Sequence, residues 1–397
     1  MVRHRIIPLL LSACLLASLT GCWSSKEIED LSMYIGLALD EGKPTPTEQK
    51  LDEQGVGYLK RNVMTATIQI VPTRSSGSAQ QQTKSQQPPQ FFNVTGTGDS
   101  LLEIMREFSL QLDRPAIGHH LKVIVVSNVL AQSHNMENIM DFVLRDNDIR
   151  PSCLVFLSHG PAKNTIEGAQ TGDIPAFKLK GLPRGHFRTG RVMEGINLTK
   201  LDEQLSIKQS FVLQEVNENN GITVAAGAGI IKGETGKWIG SLNQTDVESI
   251  AWISNEIRGG TIKSYDWRNE PITYEIKEAK SKITSTVKGD DISFHVNIQS
   301  EGRLIENWDI DENPSASGYN DKAQKIFEKR LSDMLSSVML KLQSTYHADV
   351  IGFRDVLKIQ HPKVWKKVED HWDDVFSRTP VTFDIKLKIT DYGSSKK

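Results

Sequence analysis

"VTFDIKLKIT", residues 381–390, puts Val381, Phe383, Ile385, Leu387 and Ile389 on one side of an extended chain and Thr382, Asp384, Lys386 and Lys388 on the other. Successive side chains of a strand point to opposite faces, so this is the pattern of a strand with one dry and one wet side. Two more stretches carry it: "PITYEIK" (271–277) through Ile272, Tyr274 and Ile276, and "DISFHVNIQ" (291–299) through Ile292, Phe294, Val296 and Ile298. A sheet wet on one face is ordinarily antiparallel, and that is the expectation for this half of the chain. The dry face needs a cover. Asp321 to Gln343 supplies one, with Phe327, Leu331, Met334, Leu335, Val338 and Leu342 in one helical stripe. After Pro362, "VWKKVEDHWDDVF" (364–376) is a second helical region whose Trp365, Trp372 and Phe376 share a face and are expected to be core aromatics.

Working back toward the N-terminus, the pattern changes. "LKVIVVS" (121–127) is a continuous apolar run, hence a strand covered on both faces, and "CLVFL" (153–157) reads the same way. "NVMTATIQIV" (62–71) is strand-like, and the polar, Pro-bounded "TRSSGSAQQQTKSQQPPQ" (73–90) after it is expected to be a surface loop. Ser100 and Glu103 form a capping box ahead of Leu101, Ile104, Met105 and Phe108 on one helical face, and a further helix is expected from Met136 to Arg145. The pattern fades in "KLKGLPRGHFRTGRVMEG" (178–195). The organisation expected is therefore α+β and multi-domain. A leader occupies 1–21. An N-terminal domain at 22–190 holds a mixed sheet with helices, a connecting segment follows at 191–219, and a C-terminal domain at 220–392 holds an antiparallel sheet covered by a long helix.

The leader has Arg3 and Arg5 before an apolar run from Ile6 to Leu19, the n-region and h-region of an export signal. The run is shorter than the ~20 residues a spanning helix needs, and Pro8 interrupts it. Leu19-Thr20-Gly21-Cys22 matches the bacterial lipobox: a branched residue, two small ones, then a cysteine whose thiol takes a diacylglycerol and whose freed amine can take a palmitate-type chain. Cys22 is accordingly read as a lipid anchor, and two acyl chains hold a protein to a bilayer where one binds marginally. With Cys14 lost in the leader and Cys22 lipidated, Cys153 has no disulfide partner and is expected to be a small core hydrophobe.

Composition excludes several classes. The chain is 397 residues, 38% hydrophobic and 24% charged, enough for real cores. Without the leader it carries 45 basic and 49 acidic side chains, which offers nucleic acid no basic face. "GDSL" (98–101) spells the signature of a serine-hydrolase family with Ser100 as nucleophile. None of the ten histidines follows an aspartate by three residues, however, so the family's base is missing, and a turn plus helix N-cap explains the same letters. "KGETGKW" (232–238) lacks the first glycine and the Ser/Thr of a P-loop. The adjacent His119 and His120 point to opposite faces on a strand, and His361 and His371 stand ten apart around a proline. No catalytic residue, metal site or cofactor is assigned.

The assembled motifs resemble the Ger(x)C family, the lipoprotein C components of spore germinant receptors, over nearly the whole mature chain. The likeness runs from Cys22-Trp23, Glu27-Ile28, Leu31, Gly36 and Asp40, through "HLKVIVVS" with Ala131 and "DFVLRDNDIR" (141–150), to "AGAGIIKGETGKWIGSL". Its most specific part is "DVIGFRDVLKIQHPKVWKKVEDHWDDVF" (349–376), similar to the family's D..GFG, P..W, W and F, followed by a last strand and Gly393. Arg354 replaces the second glycine of GFG. The resemblance implies a non-enzymatic, lipid-anchored subunit on the outer face of the spore's inner membrane. Its partners there would be two integral membrane subunits, A and B, one of them transporter-like. Whether it touches the nutrient itself stays open. A solute-binding lipoprotein of a membrane transporter is the alternative, and it requires two similar α/β lobes.

Overall fold

The computed structural model describes residues 31–42, 50, 63–72, 90–168, 172–309 and 318–392. Cys22, its leader and the 73–90 loop up to Gln90 lie outside the described residues.

The first sheet opens with β1 (Ser32–Glu41), β2 (Met64–Val71) and β3 (Phe92–Gly98), which pair antiparallel in sequence order. Ser100 then caps helix α1 (Leu101–Glu107) by accepting the Glu103 N–H at 3.4 Å, so the serine of "GDSL" is a helix cap. The short β4 (Ala116–Ile117) leads to β5 (Val123–Ser127), and α2 (Asn128–Ser133) and α3 (Met136–Arg145) lead on to β6 (Leu154–Ser158). Next come α4 (Ala162–Glu167), α5 (Pro175–Gly181), β7 (Ile196–Asn197), α6 (Leu198–Ser206), β8 (Phe211–Asn219), β9 (Ile222–Ile231) and β10 (Trp238–Leu242). The strands hydrogen-bond in the order β10-β9-β8-β6-β5-β1-β2-β3, with β4 on β1 and β7 on β6. β1, β5, β6 and β8 run parallel, while the flanks are antiparallel. The sheet is mixed, as expected.

The continuous apolar run of β5 is explained by its two covers. Ile124 and Val126 pack with Ile104, Phe108, Met136 and Ile139 on one face, and Val123 and Val125 pack with Ala162, Ile166, Ala176 and Leu179 on the other. Segment 191–219, read above as a connection, supplies β7, α6 and β8 of this sheet, which ends at Leu242. β8 is buried from Phe211 to Val216 and so shows no alternation to betray it.

Helix α7 (Gln244–Ile253) leads into the second sheet, made of β11 (Thr261–Tyr265), β12 (Pro271–Lys288), β13 (Asp291–Asn307) and β14 (Val381–Asp391) in that spatial order. Between β13 and β14 lie the long α8 (Tyr319–Leu340), a π-turn at Lys341–Tyr346, α9 (Phe353–Gln360), α10 (Pro362–Val368) and α11 (Trp372–Phe376). The expected cover is in place: Phe327, Leu331, Met334, Leu335, Val338 and Leu342 are all buried. One expectation is corrected. β11, β12 and β13 are antiparallel neighbours, but β14 runs parallel to β13, with Val296 opposite Phe383 and Ile298 opposite Ile385. Tight turns join antiparallel strands, whereas the helical crossover before β14 is long enough to bring it back in the same direction.

β14 lies at the sheet's edge, where two of its outward amides are covered. The Leu387 N–H donates to Glu328 Oε1 at 3.0 Å and the Ile389 N–H to Gln324 Oε1 at 2.9 Å, both acceptors belonging to α8. The two sheets share a core in which Val212, Ala228, Ile230 and Leu242 of the first join Tyr274, Phe294 and Val296 of the second. The π-turn locks this junction. Lys341 Nζ donates to both Asp246 oxygens at 2.7 Å, Tyr346 Oη to the Ser241 carbonyl at 2.9 Å, and Gln343 Nε2 to the carbonyls of Phe376 and Thr379.

Candidate functional site

The densest cluster of motif residues gathers around Asp349. Its carboxylate is 1% exposed. Oδ1 accepts the backbone N–H groups of Ile351, Gly352 and Phe353 at 3.2, 2.9 and 3.2 Å, and Oδ2 accepts Arg354 N–H at 2.8 Å and Trp372 Nε1–H at 3.0 Å. These are the free amides at the start of α9, so the carboxylate closes that helix end and complements its dipole. Gly352 is the hinge of the turn: at φ +99° a side chain would be strained. Burial pushes the Asp349 carboxyl up, and its donors from Arg354, Gly352, Trp372 and Phe353 oppose that.

Around this cap the aromatic residues of the motif interlock. Phe353 lies 4.9 Å from Phe294 and 5.6 Å from Phe376 between ring centres, and Trp372 lies 5.5 Å from Trp365. Trp365, Trp372 and Phe376 are buried, in agreement with their reading as core aromatics. Arg354 sets its guanidinium 5.3 Å from the centre of the Trp365 ring. The residue that departs from the family pattern therefore covers the outside of the aromatic cluster by a cation–π contact.

Next to the cap the structure opens a cleft of about 210 Å³. Its walls come from three remote stretches: Val192 to Lys200 with Phe211 and Val212, then Val247, Ile250 and Arg258 in and after α7, and Val350 to Asp355 beside the Asp349 cap. The lining mixes apolar and polar side chains, with charges of both signs, Glu194, Glu256 and Asp355 against Lys200 and Arg258. His186 holds Nδ1 against the Pro183 carbonyl at 2.9 Å. The hydroxyls facing the cleft are engaged by the fold: Ser254 Oγ donates to the Ile250 carbonyl, and Ser210 Oγ donates to Asp373 while accepting the Gly233 N–H. Chemically this is a place where a small molecule with apolar and charged parts can be held. Below it Glu248, 3% exposed, takes Arg191 Nε at 3.1 Å; burial pushes its carboxyl up and Arg191 opposes.

The remaining residues singled out from sequence have structural positions. Cys22, the assigned anchor, lies outside the described residues. Cys153 is buried, and burial pushes its thiol up to about 12, the state of an inert core thiol. His119 stands 3.3 Å from Asp148 rather than sharing a ligand with His120. "KGETGKW" is the turn between β9 and β10, where Gly236 has φ +64° and its carbonyl accepts the Met136 N–H. Asp40 caps α4 across the sheet, accepting the amides of Ala162 and Lys163 at 2.7 and 3.0 Å. Sequence reading missed the cleft, whose walls are far apart in the chain. It also missed the cap, for which the Asp-x-x-Gly spacing at 349–352 was the available signal. Among the described residues no group of three or more His, Cys, Asp or Glu is placed to hold a metal ion, and no helix is long and apolar enough to cross a membrane.

Comparison with known proteins gives concordant matches. Residues 24–218 match the family described as "Spore germination protein N-terminal domain", and residues 226–393 match "Spore germination B3/ GerAC like, C-terminal". Spore germination protein YndF of Bacillus subtilis (strain 168) is 38% identical over 99% of this chain and 98% of its own length. Spore germination protein B3 of the same organism is 31% identical over 96% of each. The crystal structure of the GerBC protein superposes with a TM-score of 0.61 at 27% identity, covering 92% of this chain and 100% of that one.

Proposed function

This chain belongs to the Ger(x)C family of spore germination proteins, and from that membership we propose that it is the lipid-anchored C subunit of a nutrient germinant receptor. One observation carries the reading: the similarity to spore germination proteins spans both sheets and nearly the full length of the relatives. In this reading Cys22 carries the lipid and holds the body on the outer face of the spore's inner membrane. The body works there as a non-enzymatic component with two integral membrane subunits, A and B. The solute-binding alternative finds less support, because the ten-stranded mixed sheet and the four-stranded sheet are not two similar lobes.

The test is genetic and biochemical together. In spores from which the sister receptors have been removed, deletion of this subunit should abolish germination with one nutrient set while spores assemble normally. Cross-linking in the intact membrane should recover two integral membrane proteins with it. Unimpaired nutrient germination in that background would return the solute-binding reading to first place. Mass spectrometry of the mature N-terminus should show a diacylglyceryl group on Cys22; a chain starting elsewhere would exclude the anchor.

A further inference from the structure

We propose that one end of the first sheet, the end carrying Phe92 and Leu110, faces and touches the bilayer surface. The inference rests on the lipid anchor at Cys22 and adds an orientation to it. About ten residues separate Cys22 from Ser32, where β1 begins, so even fully extended they reach at most ~35 Å. A compact chain of this size has a radius of gyration of about 21 Å and hence a diameter of ~50 Å. Such a tether is too short to pass around the body. The point where it enters the fold therefore cannot lie on the face turned away from the membrane.

That entry point is well defined. Ser32 N–H donates to the Pro115 carbonyl at 3.0 Å, and Ser32 pairs with Ala116. Met33 lies opposite Val71, Tyr34 opposite Ile70, and Ile70 opposite Phe92, so the start of β1, the end of β2 and the start of β3 stand in a row. Leu31, Ser32, Val71, Phe92 and Arg114 line one notch of about 190 Å³. The same end leaves apolar side chains in the open. Leu110, four residues before Arg114, is 87% exposed, and Phe92 is 39% exposed. Neither is packed within the fold to that extent, and both sit where the tether must bring the chain closest to lipid. Amphipathic surfaces bury such side chains at the boundary between headgroups and acyl chains.

Single cysteines placed in the full-length lipidated protein test this, because Cys153 is buried and Cys22 is consumed by the lipid. Leu110→Cys and Phe92→Cys report on the proposed face. Leu102→Cys, 46% exposed at the start of α1, reports on the opposite end of β3, about 20 Å from Phe92 along a seven-residue strand and about 12 Å from Leu110 along the helix. Each is labelled with an environment-sensitive fluorophore and the protein is reconstituted in phosphatidylglycerol–phosphatidylethanolamine vesicles containing brominated lipid. The labels at 110 and 92 should be quenched severalfold more than the label at 102. Equal, weak quenching at all three sites on a chain whose N-terminus is lipidated overturns the orientation alone. An N-terminus without lipid in the mass spectrum refutes the anchor, and the tether argument falls with it.

Discussion

The Asp349 cap can be taken apart with two substitutions. In Asp349→Asn the side chain retains one acceptor oxygen, which will turn to the three backbone donors of Ile351, Gly352 and Phe353. Its new NH₂ group then faces the Arg354 N–H and the Trp372 indole N–H, leaving two buried donors without an acceptor. At about 1–3 kcal/mol for each unsatisfied group, the expected loss is ~3–5 kcal/mol. Trp372→Phe keeps most of the ring contact with Trp365 and Phe294 but removes one bond to a carboxylate, an expected loss of ~1.5–3 kcal/mol. In the double variant the indole donor is already gone and only Arg354 N–H lacks its acceptor, so the losses should fall short of additivity by about 1.5 kcal/mol. Urea unfolding followed by far-ultraviolet circular dichroism at constant pH measures all four corners of the cycle. Additivity within ~0.5 kcal/mol, or an Asp349→Asn variant within ~1 kcal/mol of the parent, would refute the cap as the organiser of this corner.

Three further outcomes are expected. Leu335→Asp places a charge at a fully buried position of the α8 stripe and should cost about 4 kcal/mol or more, seen as a large fall in melting temperature; an unchanged value would mean that this face does not cover the sheet. Cys153 should resist a bulky thiol reagent in the native protein and react with one equivalent in urea, and rapid native labelling would contradict its burial. Asp40, Glu215 and Glu248 are pushed up by burial, so the folded state binds their protons more tightly than the unfolded state, whose carboxyls titrate near pH ~4. The contribution of these groups to stability should therefore grow as the pH falls toward the unfolded carboxyl range near ~4, and Glu215→Gln should flatten that part of the stability–pH curve; an unchanged curve for Glu215→Gln would contradict the assignment.

What the sequence disclosed and what it withheld follow from where the signals are local. The α8 stripe, the α3 boundaries and the strand alternation of the second sheet are written in short windows, and each appears in the fold at the expected place. The direction of β14 is not written there, because an edge strand alternates in the same way whichever way its neighbour runs. β8 was passed over because burial on both faces erases alternation. The cleft was invisible for a different reason: Lys200, Ile250 and Asp355 line it together although 50 and 105 residues separate them in turn along the chain. Asp349 was legible as a motif residue but not as an acceptor for five donors, since that role needs Trp372 folded back from further along the chain.

In the proposed lipid-anchored state, the covered stretch of β14 gains a second meaning. Molecules confined to a surface by short tethers meet one another at effective concentrations that a dilute solution never reaches. A four-stranded sheet ending in free amides would there be a template for its neighbours, each copy extending the last. Glu328 and Gln324 occupy the outward amides of Leu387 and Ile389 from within the same molecule, so that stretch of the edge is already engaged when copies meet. In the proposed anchored state, that stretch can pass its neighbours at high density without pairing to them.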